Sequence, residues 1–303
     1  MRTVLKWLGI VLGSVLVLLL GVLGWASLKV SARLSEKRSY PAVVFSKHLP
    51  KPSAKRGKHL VEVRMTCVEC HGPDLAGGTV VDDPVAGRIH GRNITPAKLK
   101  GWTDEEIART LRHGVSRDGQ PLVIMPAEDY QSMSETDMRD IIAYLRTVKA
   151  VDKPDMPNTL GPLLKIFWAL GKTPQVFPVD MVDHARPFAP AVREGVNAAF
   201  GKYVYLNTCA GCHRENLAGG PMPGTPPDWA VPANITQDAL GDWNEAGFVK
   251  TLRTGVNPSG TKLRAPMTMI LKYTDKFTKT EIRALWAYIR TVKGPAGKGK
   301  NAF

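Results

Sequence analysis

The 303-residue sequence predicts an all-α fold, in which one N-terminal transmembrane helix precedes two tandem copies of a small helical domain. Three observations predict this fold. The segment from Leu8 to Leu28 contains no charged residue, and about 20 apolar residues are enough for a helix to cross a bilayer. Many landmarks of residues 53–150 recur in residues 191–303, which indicates a duplicated domain. Apolar residues in both copies follow the spacing of amphipathic helices.

The N-terminal segment is predicted to be an anchor, with a transmembrane helix in residues 1–30 and a tether in residues 31–52. A cleavable signal peptide is the alternative, but its apolar region spans only about 7 to 15 residues. The stretch Val30-Ser31-Ala32 is a poor cleavage site and lies beyond Lys29. Positive charges flank the apolar segment on both sides, so they do not define its orientation.

The repeat defines the boundaries of the two domains, 53–150 and 191–303. Its offset stays between 141 and 144 residues through every matched landmark. The matched landmarks are Leu75–Gly78 with Leu217–Gly220, Asn93–Thr95 with Asn234–Thr236, Trp102 with Trp243, Leu111–Val115 with Leu252–Val256, and Tyr144–Lys149 with Tyr288–Lys293. The second domain ends in a basic tail, Lys298-Gly299-Lys300.

Residues 151–190 between the domains form a predicted linker, because seven prolines interrupt any continuous helix there. One apolar stretch within it, Leu163 to Leu170, predicts one or two helical turns that end at Gly171. Packing of this helix on a domain is the favoured interpretation. Contact with a membrane surface is the alternative.

Capping residues predict where the main helices of each domain begin. Ser53 begins the helix that leads to residue 61, and Thr103 with Glu106 forms a capping box for a helix that Gly114 ends. The last helix of the first domain begins at Ser134 and its partner in the second domain begins at Thr278. These two helices carry apolar residues at i, i+3, i+4 and i+7, namely Met138, Ile141, Ile142 and Leu145, and Ile282, Leu285, Trp286 and Ile289.

Each domain contains one CxxCH motif, Cys67-Val68-Glu69-Cys70-His71 and Cys209-Ala210-Gly211-Cys212-His213, and together they use all four cysteines. In such a motif two thiols bind the vinyl groups of a haem and the histidine is an axial ligand to the iron. A four-thiolate zinc site is the first alternative, but its cysteine pairs normally lie about 15 to 20 residues apart. Redox-active thiols or short disulfides would leave the histidines without a role. The motifs therefore predict two covalently bound haem c groups, held by Cys67, Cys70, Cys209 and Cys212, with His71 and His213 on the irons.

A methionine is the predicted sixth ligand in each domain, because a soft thioether favours reduced iron and raises the reduction potential. Met125 lies 54 residues after His71, and Met267 lies 54 residues after His213. Met269 is the alternative in the second domain, since the spacing back from the last helix favours it. The spacing from the histidine and the preceding Pro266 favour Met267.

Four further residues are candidates for the haem pockets, since their side chains can donate hydrogen bonds to a propionate or to the ligand loop. They are Asn93, Trp102, Asn234 and Trp243. Packing and turn formation are their alternative roles. The histidines outside the motifs have no counterpart in the other copy and are predicted to be surface or structural residues, namely His48, His59, His90, His113 and His184.

Beyond these motifs, the sequence resembles a duplicated class I cytochrome c, and more narrowly the membrane-anchored cytochrome c subunits of periplasmic alcohol, aldehyde and sugar-acid dehydrogenases. The resemblance covers residues 53–294. It depends on the two CxxCH motifs, Asn93–Pro96, Gly101–Asp104, Leu111–Val115, Met125-Pro126 and Ala143–Arg146. It departs in one respect, because the best-known alcohol and gluconate dehydrogenase subunits carry three haem motifs and this chain carries two.

The resemblance implies an electron carrier of a respiratory chain rather than an enzyme. Single electrons would pass from a periplasmic dehydrogenase or from quinol to a downstream acceptor. In bacteria, haem is attached to CxxCH outside the cytoplasmic membrane, so the haem domains should face the periplasm. A dihaem peroxidase is the alternative function, and it requires an iron with an open coordination site beside an acid–base group.

The charge balance predicts the character of the partners. Lys and Arg outnumber Asp and Glu by 41 to 27, which gives a formal net charge of +14. An acidic redox acceptor or anionic lipid headgroups fit this charge, and charge spread over solvated faces is the alternative. Nucleic acid is not expected as a partner of a periplasmic haem protein.

Overall fold

In the computed structural model, a long N-terminal helix leads into two helical domains that pack against each other. The structure describes residues 1–222, 225–226 and 228–294. The predicted basic tail, Lys298-Gly299-Lys300, lies outside the described residues.

Helix α1, Arg2–Ser35, is the one helix in the described part of the chain that is long and apolar enough to cross a membrane. Its 34 residues give a length of about 51 Å at about 1.5 Å per residue, which exceeds the roughly 30 Å hydrocarbon core of a bilayer. The helix ends at Ser35, so it includes the first five residues of the segment predicted as a tether, residues 31–52. Its last turns bury Ala26, Val30 and Arg33 against the rest of the protein, which stabilises the helix beyond the apolar run.

Each domain contains a helix before its CxxCH motif, a short helix at the motif and a long helix at its end. The first domain contains α2 Ala54–His59, a π-helical turn Leu60–Arg64, α3 Cys67–His71, β1 Gly78–Asp83, β2 Gly87–Gly91, α4 Pro96–Leu99, α5 Asp104–His113, a 3-10 turn Asp129–Ser132 and α6 Glu135–Leu145. The linker contains β3 Thr159–Leu160, α7 Pro162–Ala169 and 3-10 turns Pro174–Val176 and Pro178–Asp180. The second domain contains α8 Ala198–Thr208, α9 Ala210–His213, α10 Gln237–Leu240, α11 Glu245–Thr254, α12 Met267–Thr274 and α13 Lys279–Ile289.

The predicted helix starts are confirmed. Ser53 and Ser134 accept hydrogen bonds from the backbone amides of the first helical turns that follow them. Thr103 and Thr278 form complete capping boxes with Glu106 and Glu281. The predicted apolar stripes of α6 and α13 lie in the two domain cores, fully buried except for Trp286, which is partly buried.

A small antiparallel sheet was not predicted from the sequence. Strands β1 and β2 form a hairpin in the first domain, and the linker adds the two-residue strand β3 to β2. A Cβ at Gly87, whose φ is +115°, would lie 2.2 Å from the Thr159 carbonyl oxygen. The third strand depends on contact between segments about 70 residues apart in the chain, which local patterning does not reveal.

The first and last helices of each domain cross at a glycine. A Cβ at Gly57 would lie 1.8 Å from the Asp140 carbonyl oxygen, and a Cβ at Gly201 would lie 1.9 Å from that of Ala284. Helix α2 therefore packs with its backbone directly on α6, and α8 packs in the same way on α13. This pair of glycines was not predicted from the sequence, although they recur at an offset of 144 residues and are each followed by a lysine.

The two domains meet through a pair of equivalent contacts. In each domain, the residue two positions after the crossing glycine contacts an acidic residue on the last helix of the other domain. His59 Nε2 lies 2.9 Å from Glu281 Oε1, while the Tyr203 hydroxyl donates to Asp137 Oδ2 at 2.7 Å. Asp137 and Glu281 are both the third residue of their helices, and His59 and Tyr203 both follow the crossing glycine by two residues. Arg64, whose side chain is only 1% exposed, lies 3.7 Å from each of the two carboxylates. The domains are thus related by a pseudo-two-fold axis.

The linker helix α7 forms where it was predicted, and the chain leaves it through Gly171 at a φ of +72°. Leu164 and Trp168 pack against a buried cluster that includes Ile89 and Val115 of the first domain, as favoured from the sequence. The same cluster includes Val30 of α1, a contact that was not predicted.

Candidate haem sites

The first CxxCH motif forms the short helix α3, and the second forms α9 with Cys209 as its N-cap. The cysteines of each motif are three residues apart, so one helical turn brings both thiols to the same side. None of the four cysteines forms a disulfide. Burial, with repulsion from the second thiol of the motif, raises the pKa of Cys67 and of Cys209 to about 12. Burial therefore keeps these thiols in the neutral form.

The histidine of each motif is held by a backbone carbonyl. His71 Nδ1 lies 2.6 Å from the Arg92 oxygen, and His213 Nδ1 lies 2.8 Å from the Ala233 oxygen. Because a carbonyl only accepts, Nδ1 must carry the proton, and the lone pair is then on Nε2. Burial lowers the pKa of both imidazoles, which favours the neutral form that binds a metal.

The repeated Asn-Ile-Thr segments fix those carbonyls. Asn93 Oδ1 accepts from the Thr95 amide at 2.9 Å and from its hydroxyl at 2.7 Å, and Asn234 makes the same pair of bonds to Thr236. Asn93 Nδ2 also donates to the Val151 carbonyl in the linker at 2.8 Å. Each asparagine directly follows the residue whose carbonyl holds the histidine. The structure therefore gives both asparagines a bracing role, and their predicted bond to a haem propionate stays a prediction.

The candidate methionines pack on the same domain cores as the first cysteines of their motifs. Met125 packs on the first core together with Cys67 and Trp102, and Met267 packs on the second core together with Cys209. Trp243 packs on that second core too. Met269 is instead 50% exposed. This placement favours Met267 over Met269, and the assignment of Met125 and Met267 to the irons stays a prediction.

The two candidate ligand loops are built differently. Ile124 has a φ of +60°, a strained value for a β-branched residue, and its amide donates to the Val176 carbonyl of the linker at 3.0 Å. Met267 is the first residue of α12 and follows Pro266.

Trp102 and Trp243 are partly buried in the two cores, and the Arg117 guanidinium lies 5.7 Å from the Trp102 ring. Their predicted contact with the haems stays a prediction.

Both attachment helices lie at the domain interface. Glu69, inside the first motif, contacts Lys272 and Tyr273 of the second domain. At the equivalent place in the second motif, a Cβ on Gly211 would lie 2.8 Å from Asp129 Oδ1 of the first domain. Burial raises the pKa of Asp129 to about 6. Asp129 and Gly211 were not predicted to be interface residues, because their contact joins segments about 80 residues apart.

The predicted haem donors therefore fall into two equivalent sets. Each set has two thiols on one helical turn, an imidazole whose Nε2 is left for a metal and a thioether on the same core. Among the described residues, no group of three or more His, Cys, Asp or Glu side chains is arranged to hold a bare metal ion. The chemistry of the donor sets fits one haem in each domain.

Comparisons with known proteins agree with this arrangement. Residues 198–293 match the family model described as cytochrome c, and residues 52–145 match the model of cytochrome c oxidase, cbb3-type, subunit III. The chain therefore belongs to the cytochrome c family, with one such domain on each side of the linker. It is a dihaem cytochrome c with an electron-transfer role, and its N-terminal apolar helix fits a membrane anchor.

Three curated relatives extend the comparison. The chain is 27% identical over 276 residues to the fructose dehydrogenase cytochrome subunit of Gluconobacter japonicus, covering 82% of this chain and 54% of that protein. It is 25% identical over 261 residues to a nicotinate dehydrogenase subunit of Pseudomonas putida, covering 78% and 21%. It is 26% identical over 260 residues to a diheme cytochrome c-type protein of Cereibacter sphaeroides, covering 75% and 81%. The chain thus spans about half the length of the first relative and about a fifth of the second.

Proposed function

We propose that this chain is the anchored electron-transfer subunit of a periplasmic dehydrogenase and has no catalytic activity of its own. It accepts electrons from the dehydrogenase or from quinol and delivers them to an acidic acceptor. Two of the three relatives above are named as parts of dehydrogenases, which supports a dehydrogenase as donor. The apolar helix α1 supports a single-pass anchor in the cytoplasmic membrane, with the haem domains on the periplasmic side.

The position of both CxxCH helices at the domain interface carries this proposal. When bound, each haem supplies a one-electron couple at its iron. Glu69 meets Lys272 across the interface, and Asp129 meets Gly211, so both attachment sites adjoin the other domain. A haem held at either attachment site would therefore adjoin the other domain, which would suit electron transfer between the domains.

The protein residues keep the sites rigid during transfer. The glycine crossings at Gly57 and Gly201 allow backbone contact between helices, and backbone carbonyls fix His71 and His213. Groups that are held in place move little when the charge on a metal changes, so the cost of reorganisation is low. This property suits a carrier.

A dihaem peroxidase is the second candidate function, and coordination of the irons distinguishes it from a carrier. Met125 and Met267 occupy equivalent cores, so we expect both irons to be six-coordinate and low-spin in the oxidised protein. Peroxide turnover should then be negligible. Met125→Ala opens one site and provides the positive control, with a high-spin signal and faster peroxide consumption. A high-spin iron in the unmodified protein would support the enzyme instead.

The donor can be identified with the full-length protein in detergent. Native membranes are solubilised, the cytochrome is captured by an affinity tag, and co-purifying dehydrogenases are identified by mass spectrometry. Reduction of both haems by the substrate of the captured enzyme, without added quinol, is the expected result. Reduction by a short-chain quinol alone, with no dehydrogenase bound, would identify quinol as the donor.

The acidic acceptor is tested by ionic strength. Steering by the net charge of +14 should make the bimolecular rate fall as salt rises, since the screening length is already about 10 Å at about 0.1 M. Stopped-flow oxidation of the reduced protein measures this rate, with an uncharged small-molecule oxidant as control. An equal rate at all salt concentrations would contradict an acidic acceptor.

Retention and orientation of the anchor have direct tests. The intact mass of the purified protein should include residues 1–35. A protease added to spheroplasts should remove the haem domains and leave the anchor. A mass that lacks the N-terminal helix would favour a cleaved signal peptide.

A further inference from the structure

Helix α7 of the linker has two apolar faces. Leu164 and Trp168 point inward and pack on the first domain. Leu163, Phe167 and Leu170 follow one another at i, i+4 and i+7 and are 43%, 40% and 55% exposed. Large apolar side chains exposed together on one face of a helix indicate a contact surface rather than a solvated one.

The C-terminal end of α7 is bound to α1. Lys29 Nζ of α1 donates to the Ala169 carbonyl at 3.1 Å, which satisfies an orphan acceptor at the end of α7. The same ammonium lies 5.1 Å from the Trp25 ring and 6.0 Å from the Trp168 ring. Ala26, one residue past Trp25, is completely buried. Residues Phe167 to Leu170 are therefore held at the level of Trp25 to Lys29.

Tryptophans and lysines indicate where that level lies in a membrane. Trp7 and Trp25 are 18 residues apart in α1, which corresponds to about 27 Å along the helix and nearly equals a hydrocarbon core of about 30 Å. Tryptophan favours the two membrane interfaces, and lysines favour the headgroups beyond them. Trp25 and Lys29 therefore mark the headgroup region, so the end of α7 lies in that region too.

We propose that Phe167 and Leu170 insert into the bilayer surface beside the anchor, so that α7 is a second, interfacial membrane contact. This inference rests on the proposed anchoring through α1. The occupant of the exposed face is lipid, because Lys29 of α1 holds the end of α7 at the headgroup level of the anchor. Lys172, exposed two residues after Leu170, fits anionic headgroups.

The contact restricts how the haem domains stand on the membrane. A single helix followed by a flexible tether would let the domains rotate freely. Helix α7 packs both on α1 and on the cluster with Ile89 and Val115 of the first domain. The first haem domain is thereby held in one orientation above the bilayer, and a partner at the membrane surface meets a defined face.

Photo-cross-linking to lipid tests the proposal with the full-length dihaem protein. The protein is reconstituted into vesicles of phosphatidylethanolamine and phosphatidylglycerol that contain a lipid with a diazirine near its glycerol. Cross-linked peptides are mapped by mass spectrometry. We expect cross-links in α1 and in the peptide that contains Phe167 and Leu170. A Phe167→Glu, Leu170→Glu variant should lose the second set, retain the first and keep its haem spectrum.

The apolar residues Val196 and Val231 of the second domain, 46% and 60% exposed, serve as matched references and should remain free of lipid. Cross-links in α1 alone would overturn the inference, leave the anchor intact and assign the face of α7 to a protein partner. Cross-links in neither segment would overturn the anchor as well. Equal labelling of Val196, Val231 and α7 would show unspecific contact and would also overturn the inference.

Discussion

In the first domain Met125 lies in an irregular loop that the linker braces, whereas in the second domain Met267 begins helix α12. Around the two histidines the domains are nearly identical, with the same Asn-Ile-Thr turn, the same carbonyl bond and the same glycine crossing. The attachment side of a haem is fixed by covalent geometry and tolerates little change. A thioether could reach an iron from a braced loop or from a helix end, so the predicted methionine side is free to differ between the domains.

Substitution of the crossing glycines should have the largest effect on stability. It should also show whether the two domains unfold separately. Gly57→Ala places a Cβ 1.8 Å from a carbonyl oxygen that belongs to a packed helix, so we expect a cost of about 3 kcal/mol, the upper end of the usual range for overpacking. Thermal unfolding followed by haem absorbance and circular dichroism should show a destabilised first domain, and Gly201→Ala a destabilised second domain.

Gly21→Ala in α1 is the control, because nothing lies within 4 Å of its added Cβ. It should leave both transitions unchanged. If Gly57→Ala lowers both transitions equally, the interface makes the two domains one cooperative unit. Unchanged unfolding of both crossing variants would contradict this helix packing.

The methionines test the divergent side of the comparison. Met267→Ala should abolish about half of the sulfur-to-iron charge-transfer absorption and lower the reduction potential of one haem, because a thioether stabilises reduced iron. Met125→Ala should do the same for the other haem. Redox titration with near-infrared absorption measures both effects. Met269→Leu is the control and should change neither, since Met269 is 50% exposed; the reverse pattern would make Met269 the ligand.

The two equivalent contacts between the domains, His59 with Glu281 and Tyr203 with Asp137, should contribute to stability with a different pH dependence. Burial alone would raise the pKa of Glu281, but the bond with His59 and the attraction of His59 and Arg64 outweigh it and lower the pKa below 4.5. A carboxyl with a lowered folded-state pKa stabilises the protein above its unfolded-state pKa, and this stability is lost as the pH falls through the folded-state pKa. Glu281→Gln should therefore cost about 1–3 kcal/mol at neutral pH and progressively less as the pH falls below 4.5.

Denaturant unfolding across a pH series measures this difference. Glu245→Gln is the matched control, because Glu245 pairs with Arg283 at 2.7 Å on the surface with its side chain 41% exposed. Its effect should be small at every pH. Tyr203→Phe, in the equivalent contact, removes a neutral donor, so its cost should vary less with pH. An identical pH dependence for Tyr203→Phe and Glu281→Gln would contradict a lowered pKa of Glu281 as the cause of the pH-dependent loss of stability.

The pair of Glu69 and Lys272 should give the smallest effect. Burial raises the pKa of Glu69, and the bonds from Lys272 and Tyr273 lower it by more. The Lys272 side chain is 62% exposed, and solvent-exposed ion pairs contribute about 0 to 1 kcal/mol. Glu69→Gln should therefore change the free energy of unfolding little, and less still in high salt. A large loss of stability would mean that this contact, and not the network around Arg64, holds the domains together.

Features that follow a local rule or a repeat could be predicted from the amino-acid sequence. The CxxCH motifs, the caps at Ser53, Thr103 and Thr278, the apolar length of α1 and the 54-residue spacing to Met125 and Met267 are such features. Covalent attachment, backbone capping and bilayer thickness each impose a fixed pattern on neighbouring residues, so the pattern is visible in the chain.

Contacts between distant segments became visible only in the folded protein. The fold places Asp129 against Gly211, His59 against Glu281 and Lys29 against Ala169, and it exposes Met269 while packing Met267 on the core. It also gives Asn93, which the sequence predicted as a haem contact, a bracing role. These outcomes depend on close packing between surfaces from separate parts of the chain, and such packing leaves no periodic signal in either segment alone.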